Sequence, residues 1–218
     1  MTPPATTTSV LAARRLSDNI FELRLQRPSG FEFVPGQRLR VHWGDAERDY
    51  SIASTPADDH LKLCVRCFPL GAVSPRLAAL APGATLGISG PYGHFRYQSR
   101  EYPAVFIATG TGIAPFRAMA AGIGGGLLVL HGIRSEKEQF YREDFLKASA
   151  HYVACVSSGG ASGDAQTFLG RVTDYMNRRL VPGRYDFYLC GRQDMIRDVI
   201  HIVDDQFGAS RIFTEAFY

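Results

Sequence analysis

The pattern of apolar and polar positions changes character near residue 100. Before that point apolar residues come in short runs between turn formers. Runs at 9–16, 20–26, 38–43, 49–53, 61–67 and 85–89 read as strands. Arg27-Pro28-Ser29-Gly30, Val34-Pro35-Gly36, Thr55-Pro56 and Ala81-Pro82-Gly83 punctuate them. Only 74–80 has a helical pattern. Many short strands at this spacing predict an antiparallel β-barrel. After Tyr102-Pro103, apolar-rich strands at 104–108, 127–131, 152–156, 185–190 and 211–214 alternate with helical stretches near 113–121, 137–147, 171–179 and 194–206. That alternation predicts an α/β domain, a parallel sheet with helices on both faces. The expectation is two domains, 1–100 and 101–218.

The length of 218 residues has room for two units of about 100. Hydrophobic content of 45% and charged content of 21% are ordinary for a soluble globular protein. A net charge of +3 is too small to imply nucleic acid or a membrane surface. No apolar run approaches the ~18 residues of a membrane span, so no membrane insertion is expected. The segment from Met1 to Thr8 lacks a basic region followed by an apolar core. It reads as a short disordered tail, and a cytoplasmic location follows by default. Cys64 and Cys67 form a C-x-x-C within a strand-like run, where residues three apart point to opposite faces. No second pair completes a zinc site, and the spacing of a plant-type iron–sulfur cluster is absent. Any electron chemistry must therefore use an organic cofactor, with no metal.

Four glycine- or arginine-bearing segments carry the candidate chemistry, one of them weakly. In Arg48-Asp49-Tyr50-Ser51, Arg48 and Tyr50 share one face of a strand. A guanidinium and a flat ring together suit a phosphate-bearing aromatic cofactor. In Gly71-Ala72-Val73-Ser74-Pro75 a glycine turn enters a helix, with Ser74 as the expected N-cap and proline at the first helical position. A helix N-terminus suits phosphate. Gly90-Pro91-Tyr92-Gly93 is a third, weaker turn. Gly110-Thr111-Gly112-Ile113-Ala114-Pro115 follows a buried strand and opens a helix, as a dinucleotide pyrophosphate site requires. Pro115 stands where the usual fingerprint has its third glycine, and proline in a first helical turn loses no hydrogen bond. Two such sites in one short chain imply two cofactors brought face to face.

In order along the chain, R-x-Y-S at Arg48–Ser51, G-x-x-S at Gly71–Ser74, G-T-G-x-A-P at Gly110–Pro115, Leu189-Cys190-Gly191 and the closing Glu215-Ala216-Phe217-Tyr218 resemble the ferredoxin–NADP reductase superfamily of flavoproteins. The resemblance covers nearly the whole chain and implies FAD on the barrel and a nicotinamide dinucleotide on the α/β domain. By the same resemblance Tyr50 stacks on the flavin, Arg48 holds its pyrophosphate and Ser51 sits near flavin N5. Gly71, Val73 and Ser74 finish the phosphate site, and Val65 and Arg66 border it. Thr111, Gly112 and Pro115 take the second cofactor. Cys190 and Gly191 fall near the nicotinamide, where Cys190 orients rather than attacks. Glu215 joins Ser51 and Cys190 around the reacting atoms, and an aromatic residue covers the flavin. Counting from the glutamate selects Phe217; counting from the terminus selects Tyr218.

The nicotinamide reads as NADP, with NAD possible. Arg134 lies about 20 residues beyond Gly112, near the position of a 2′-phosphate arginine. Arg171 matches another such contact in some relatives, whereas the arginine expected in a Ser-Arg pair is absent from Ser157-Ser158. The resemblance implies hydride transfer between NADPH and flavin, and single electrons to or from ferredoxin or flavodoxin as a separate chain. The alternatives are an NADH-dependent reductase component of an oxygenase system, or a non-catalytic flavin electron-transfer subunit.

Overall fold

Residues 5–98, 101–158 and 164–217 are described by the computed structural model of the chain. Contacts divide it into two units: Met1–Tyr97 with Ala114–Met119, and Gln98–Ile113 with Ala120–Tyr218.

The first unit holds β1 (Thr6–Arg15), β2 (Ile20–Gln26), β3 (Arg38–Trp43), β4 (Ala46–Ser51), β5 (His60–Arg66) and β6 (Thr85–Tyr92). Every pairing is antiparallel, in the order β4-β3-β6-β1-β2-β5. A bridge between Ile52 and Leu63 joins the two ends of this order into a barrel. The Ala53 N–H donates to the Lys62 carbonyl at 2.8 Å beside it. Residues two apart line the interior: Leu23 with Leu25, Leu39 with Val41, and Leu61, Leu63 and Val65 are fully buried. Each such side chain contributes roughly 1.5–3 kcal/mol. Helix α1 (Ser74–Ala78) adds Leu77 to this core.

The second unit holds β7 (Ala104–Thr109), β8 (Leu128–Ile133), β9 (His151–Val156), β10 (Thr167–Leu169), β11 (Asp186–Arg192) and β12 (Arg211–Phe217). All pairings are parallel, in the order β10-β9-β8-β7-β11-β12. Helix α2 (Ala114–Ala120) follows β7 in the chain but falls almost wholly in the stretch assigned to the first unit; the helices of this unit are α3 (Arg142–Lys147), α4 (Val172–Arg179) and α5 (Gln193–Gln206). Val105, Ile107, Leu130, Phe187 and Leu189 pack with Met176 of α4 and Val199 of α5. On the other face, Tyr152 stacks on Phe145 of α3. Burial on both faces explains why these strands read as continuous apolar runs. The order reverses direction between β7 and β11, and ligands of such sheets bind at the carboxyl ends of the strands there. At the opposite end Arg211 makes two hydrogen bonds to the fully buried Asp186, at 2.7 and 3.0 Å.

Several boundaries differ from expectation. Thr6, Thr7 and Thr8 are not a disordered tail: they pair with Ile88, Gly87 and Leu86. The 137–147 stretch splits into a 3₁₀ turn at Glu136–Glu138 and α3, because Tyr141 takes a left-handed φ of 60° between them. β10 has three residues, too few to show a period, and β12 runs on to Phe217. All four cysteines are free thiols. Among the described residues no cluster could hold a metal ion, and no helix is long and apolar enough to cross a membrane.

Candidate functional site

In the first unit, β4 presents two faces of different chemistry. Asp49 is clamped by Arg38 at 2.9 Å and Arg40 at 2.7 Å. Against the desolvation that would raise it, these guanidiniums hold its carboxyl below the usual range. Arg48 and Tyr50 occupy the alternate positions, in register with Val41 and Leu39. The Arg48 side chain is exposed, and its guanidinium donates to the Glu47 carbonyl at 2.7 Å. Tyr50 packs against the barrel core, and burial pushes its phenol up to about 12 despite the nearby Arg48. Ser51, next along, is buried.

Cys67 lies close enough to Tyr50 to affect its titration, so the end of β5 approaches this face. Arg66 stands just before it. Its Nε is shielded from water and has no acceptor among the described residues. Such an orphaned donor calls for an acceptor from outside the chain, and a phosphate oxygen fits. Val65 and Val73 bury their side chains in the core, so they can serve a ligand only through backbone. The Gly71 N–H bonds to the Phe68 carbonyl at 2.8 Å, and a Cβ on Gly71 would lie 3.0 Å from that oxygen. Ser74 is not an N-cap. Val73 holds that position, and the Ser74 hydroxyl instead accepts the Phe68 N–H at 3.0 Å, tying the loop shut. With five residues, α1 has too little dipole to form a phosphate site by itself. Arginines and the tyrosine ring, rather than a helix end, make this half fit FAD.

In the second unit, two turns meet at the carboxyl ends of β7 and β11. A Cβ on Gly112 would overlap the Cys190 carbonyl and lie 2.9 Å from the Gly191 Cα. Only glycine allows that approach. The Arg192 N–H donates to the Thr109 hydroxyl at 2.9 Å across the same junction. Thr111 is half-buried in the 3₁₀ turn Gly110–Ile113, while Pro115 is buried in the first turn of α2, within the stretch assigned to the first unit. Arg134, Ser157 and Arg171 follow the neighbouring strands β8, β9 and β10. The Ser157 N–H bonds to the Ile133 carbonyl at 3.0 Å, and the Ser158 N–H to that of Arg134 at 3.0 Å. The Gly170 N–H bonds to the Val156 carbonyl at 2.9 Å. The three loops therefore share one rim, with the Arg134 and Arg171 side chains exposed on it.

Glu215 sits in register with Cys190, Ala216 with Gly191, and Phe217 with Arg192. Burial pushes the Cys190 thiol well up, and Glu215 adds to the effect. A wholly buried thiol held in its protonated form is a poor nucleophile. Glu215 and Phe217 share a face of β12, as residues two apart must. Tyr218 lies outside the described residues. Ser51 falls in the first unit, and Cys190 and Glu215 in the second.

Sequence reasoning missed His131. It is fully buried, with Nε2 2.9 Å from the Gly110 carbonyl and Nδ1 2.9 Å from the Tyr152 hydroxyl. A polar residue inside an apolar strand is the signal that could have found it, since such a group must be hydrogen-bonded. Burial lowers its pKa to about 4, against the Gly110 bond that raises it. The folded state therefore refuses a proton that the unfolded chain takes up near 6.5. Stability from this group is complete above pH 6.5 and is lost as pH falls toward 4. About 3 kcal/mol is at stake. Urea unfolding of His131→Gln should show a correspondingly shallower loss between pH 6.5 and 4 than the parent; parallel curves would remove His131 as the cause.

Residues 8–97 match the oxidoreductase FAD-binding domain family, and residues 106–201 match the oxidoreductase NAD-binding domain family. The chain is 33% identical to ferredoxin–NADP reductase B of Sorangium cellulosum, over 93% of this chain and 92% of that protein. It is 32% identical to the toluate 1,2-dioxygenase electron transfer component of Pseudomonas putida, over 88% of this chain. There it spans only 61% of the relative's length. The cytochrome P450 reductase GcoB of Amycolatopsis superposes with a TM-score of 0.86 at 25% identity, covering 100% of this chain and 71% of that one. With both cofactor domains matched in order and one relative matched nearly end to end, the chain belongs to the ferredoxin–NADP reductase superfamily of FAD-dependent oxidoreductases.

Proposed function

We propose that this oxidoreductase takes hydride from NADPH and passes electrons singly to a ferredoxin or flavodoxin supplied as a separate chain. FAD belongs to residues 1–100 and the nicotinamide to 101–218. The observation that carries the reading is the Arg66 Nε at the end of β5, buried with no acceptor among the described residues, together with Arg48 and Tyr50 on β4. Bound FAD accepts two electrons together and can release them one at a time. The chain's own residues bind and orient. Arg48 and Arg66 hold the pyrophosphate, Tyr50 packs on the ring system, and Gly71 and Ser74 shape the loop beside it. Thr111 and Gly112 offer backbone to the second pyrophosphate, and Cys190 and Glu215 line the nicotinamide end. Arg134 and Arg171 read the 2′-phosphate.

The second reading is an NADH-dependent reductase component of an oxygenase system. Its support is the likeness to the toluate dioxygenase component and the lack of an arginine at Ser157-Ser158. One anaerobic experiment separates them: titrate the purified flavoprotein with NADPH and with NADH, following the flavin absorbance. Bleaching at lower NADPH concentration supports the first reading, and at lower NADH concentration the second. No bleaching with either leaves a non-catalytic subunit. Converting Arg134 and Arg171 together to Ala should raise the KM for NADPH by at least about tenfold, as two charge-assisted contacts imply, and that for NADH little. Equal effects would show that these arginines do not read the phosphate.

A further inference from the structure

We propose that His131 and Tyr152 are positioning residues that hold the Gly110–Ile113 turn in the shape a nicotinamide dinucleotide needs; this rests on the function proposed above. His131 lies mid-sheet on β8, in register with Ala108 and Ala154. A carbonyl oxygen can only accept, so the Nε2 facing Gly110 carries the proton. Nδ1 is then the acceptor, and the Tyr152 hydroxyl donates to it. The relay has one direction: Tyr152 to His131 to the Gly110 carbonyl. It is walled from water by Phe140, whose ring centre lies 6.1 Å from His131, and by Phe145, stacked on Tyr152 at 5.8 Å.

A buried polar pair of this kind costs desolvation that an all-apolar core would avoid. What it achieves is local. The carbonyl of Gly110 is held inward. A peptide unit is planar and trans, so its N–H, that of Thr111, points the opposite way. The first N–H groups of a helical turn have no partner within the turn. Turned away from the core at the carboxyl end of β7, the Thr111 N–H becomes a fixed donor for an anionic ligand. Without the relay the Gly110–Thr111 peptide loses its inward anchor. The donor would then have to be ordered each time a dinucleotide binds.

The test uses the FAD-loaded protein and NADP⁺, followed by the flavin difference spectrum, with steady-state kinetics alongside. His131→Phe keeps a flat aromatic ring, somewhat larger than imidazole, and removes the donor. Its Kd for NADP⁺ and KM for NADPH should rise about 5- to 10-fold, the range for a lost neutral hydrogen bond, with kcat at saturation within about twofold. FAD content should match the parent. His131→Gln can place an amide N–H near the Nε2 position and should recover most of the affinity. Tyr152→Phe should give a smaller rise, and it decides the matter if His131→Phe fails to fold. Unchanged Kd in a folded His131→Phe or Tyr152→Phe protein would overturn the proposal while NADPH oxidation by the parent leaves the function standing. Equal losses in the Phe and Gln variants would assign His131 to packing alone and overturn it too. A parent that binds neither nicotinamide removes both readings together.

Discussion

Gly112→Ala should weaken NADP⁺ and NAD⁺ binding about 30- to 150-fold, the equivalent of 2–3 kcal/mol of overpacking, while FAD stays bound. The new methyl group would fall on the Cys190 carbonyl and against the Gly191 Cα. Both are backbone atoms, so no rotamer change relieves the clash. Either the Gly110–Ile113 turn retreats or the end of β11 does, and both carry residues assigned to the nicotinamide. The measurement is a spectral titration of the flavin with each dinucleotide, beside a flavin-to-protein ratio. Affinity within threefold of the parent would mean that the junction yields easily and does not shape the site.

Arg48→Ala should lower FAD affinity by about 1.5–3 kcal/mol, roughly 10- to 150-fold, and yield protein partly stripped of flavin. Arg48 is exposed, its guanidinium bonded to a neutral backbone carbonyl. Asp49 is already committed to Arg38 and Arg40 on the other face. The variant should therefore fold with the parent's thermal stability and differ only in what it binds. Fluorescence titration of the apoprotein with FAD checks this. A full flavin complement in the variant would assign the pyrophosphate to Arg66 or to other residues.

Much of this was legible in the sequence because its signals are local. Arg48 and Tyr50 share a face of β4 by the period of a strand alone, and the glycine turn at Gly110–Gly112 is read from the buried strand just before it and the helix just after it. Less local features escaped. Ser74 has the composition of an N-cap, yet its hydroxyl is taken by the Phe68 N–H, six residues back in the loop. Thr6–Thr8 look like a polar tail, but an edge with β6 needs only backbone, which every sequence supplies. β12 continues to Phe217 because β11 offers partners through Arg192, a fact that lies 25 residues away from Phe217 in the chain. His131 closes an apolar run, and only its contact with Gly110, 21 residues earlier, shows what it holds.

The ion pair between Arg211 and the buried Asp186 sits at the far end of the two strands that carry Glu215 and Cys190. Breaking it would strand a buried carboxylate and release a charged clasp between β11 and β12. A parallel strand that slips by one residue turns every side chain to the opposite face. Glu215 would then leave its place beside Cys190, and Thr214 or Ala216 would take it. A residue that helps hold the alignment of the carboxylate thus lies about 13 Å along the strand from it. If Glu215 and Cys190 line the nicotinamide end as proposed, a lesion at Arg211 would present as a defect there, with every residue assigned to the cofactors intact.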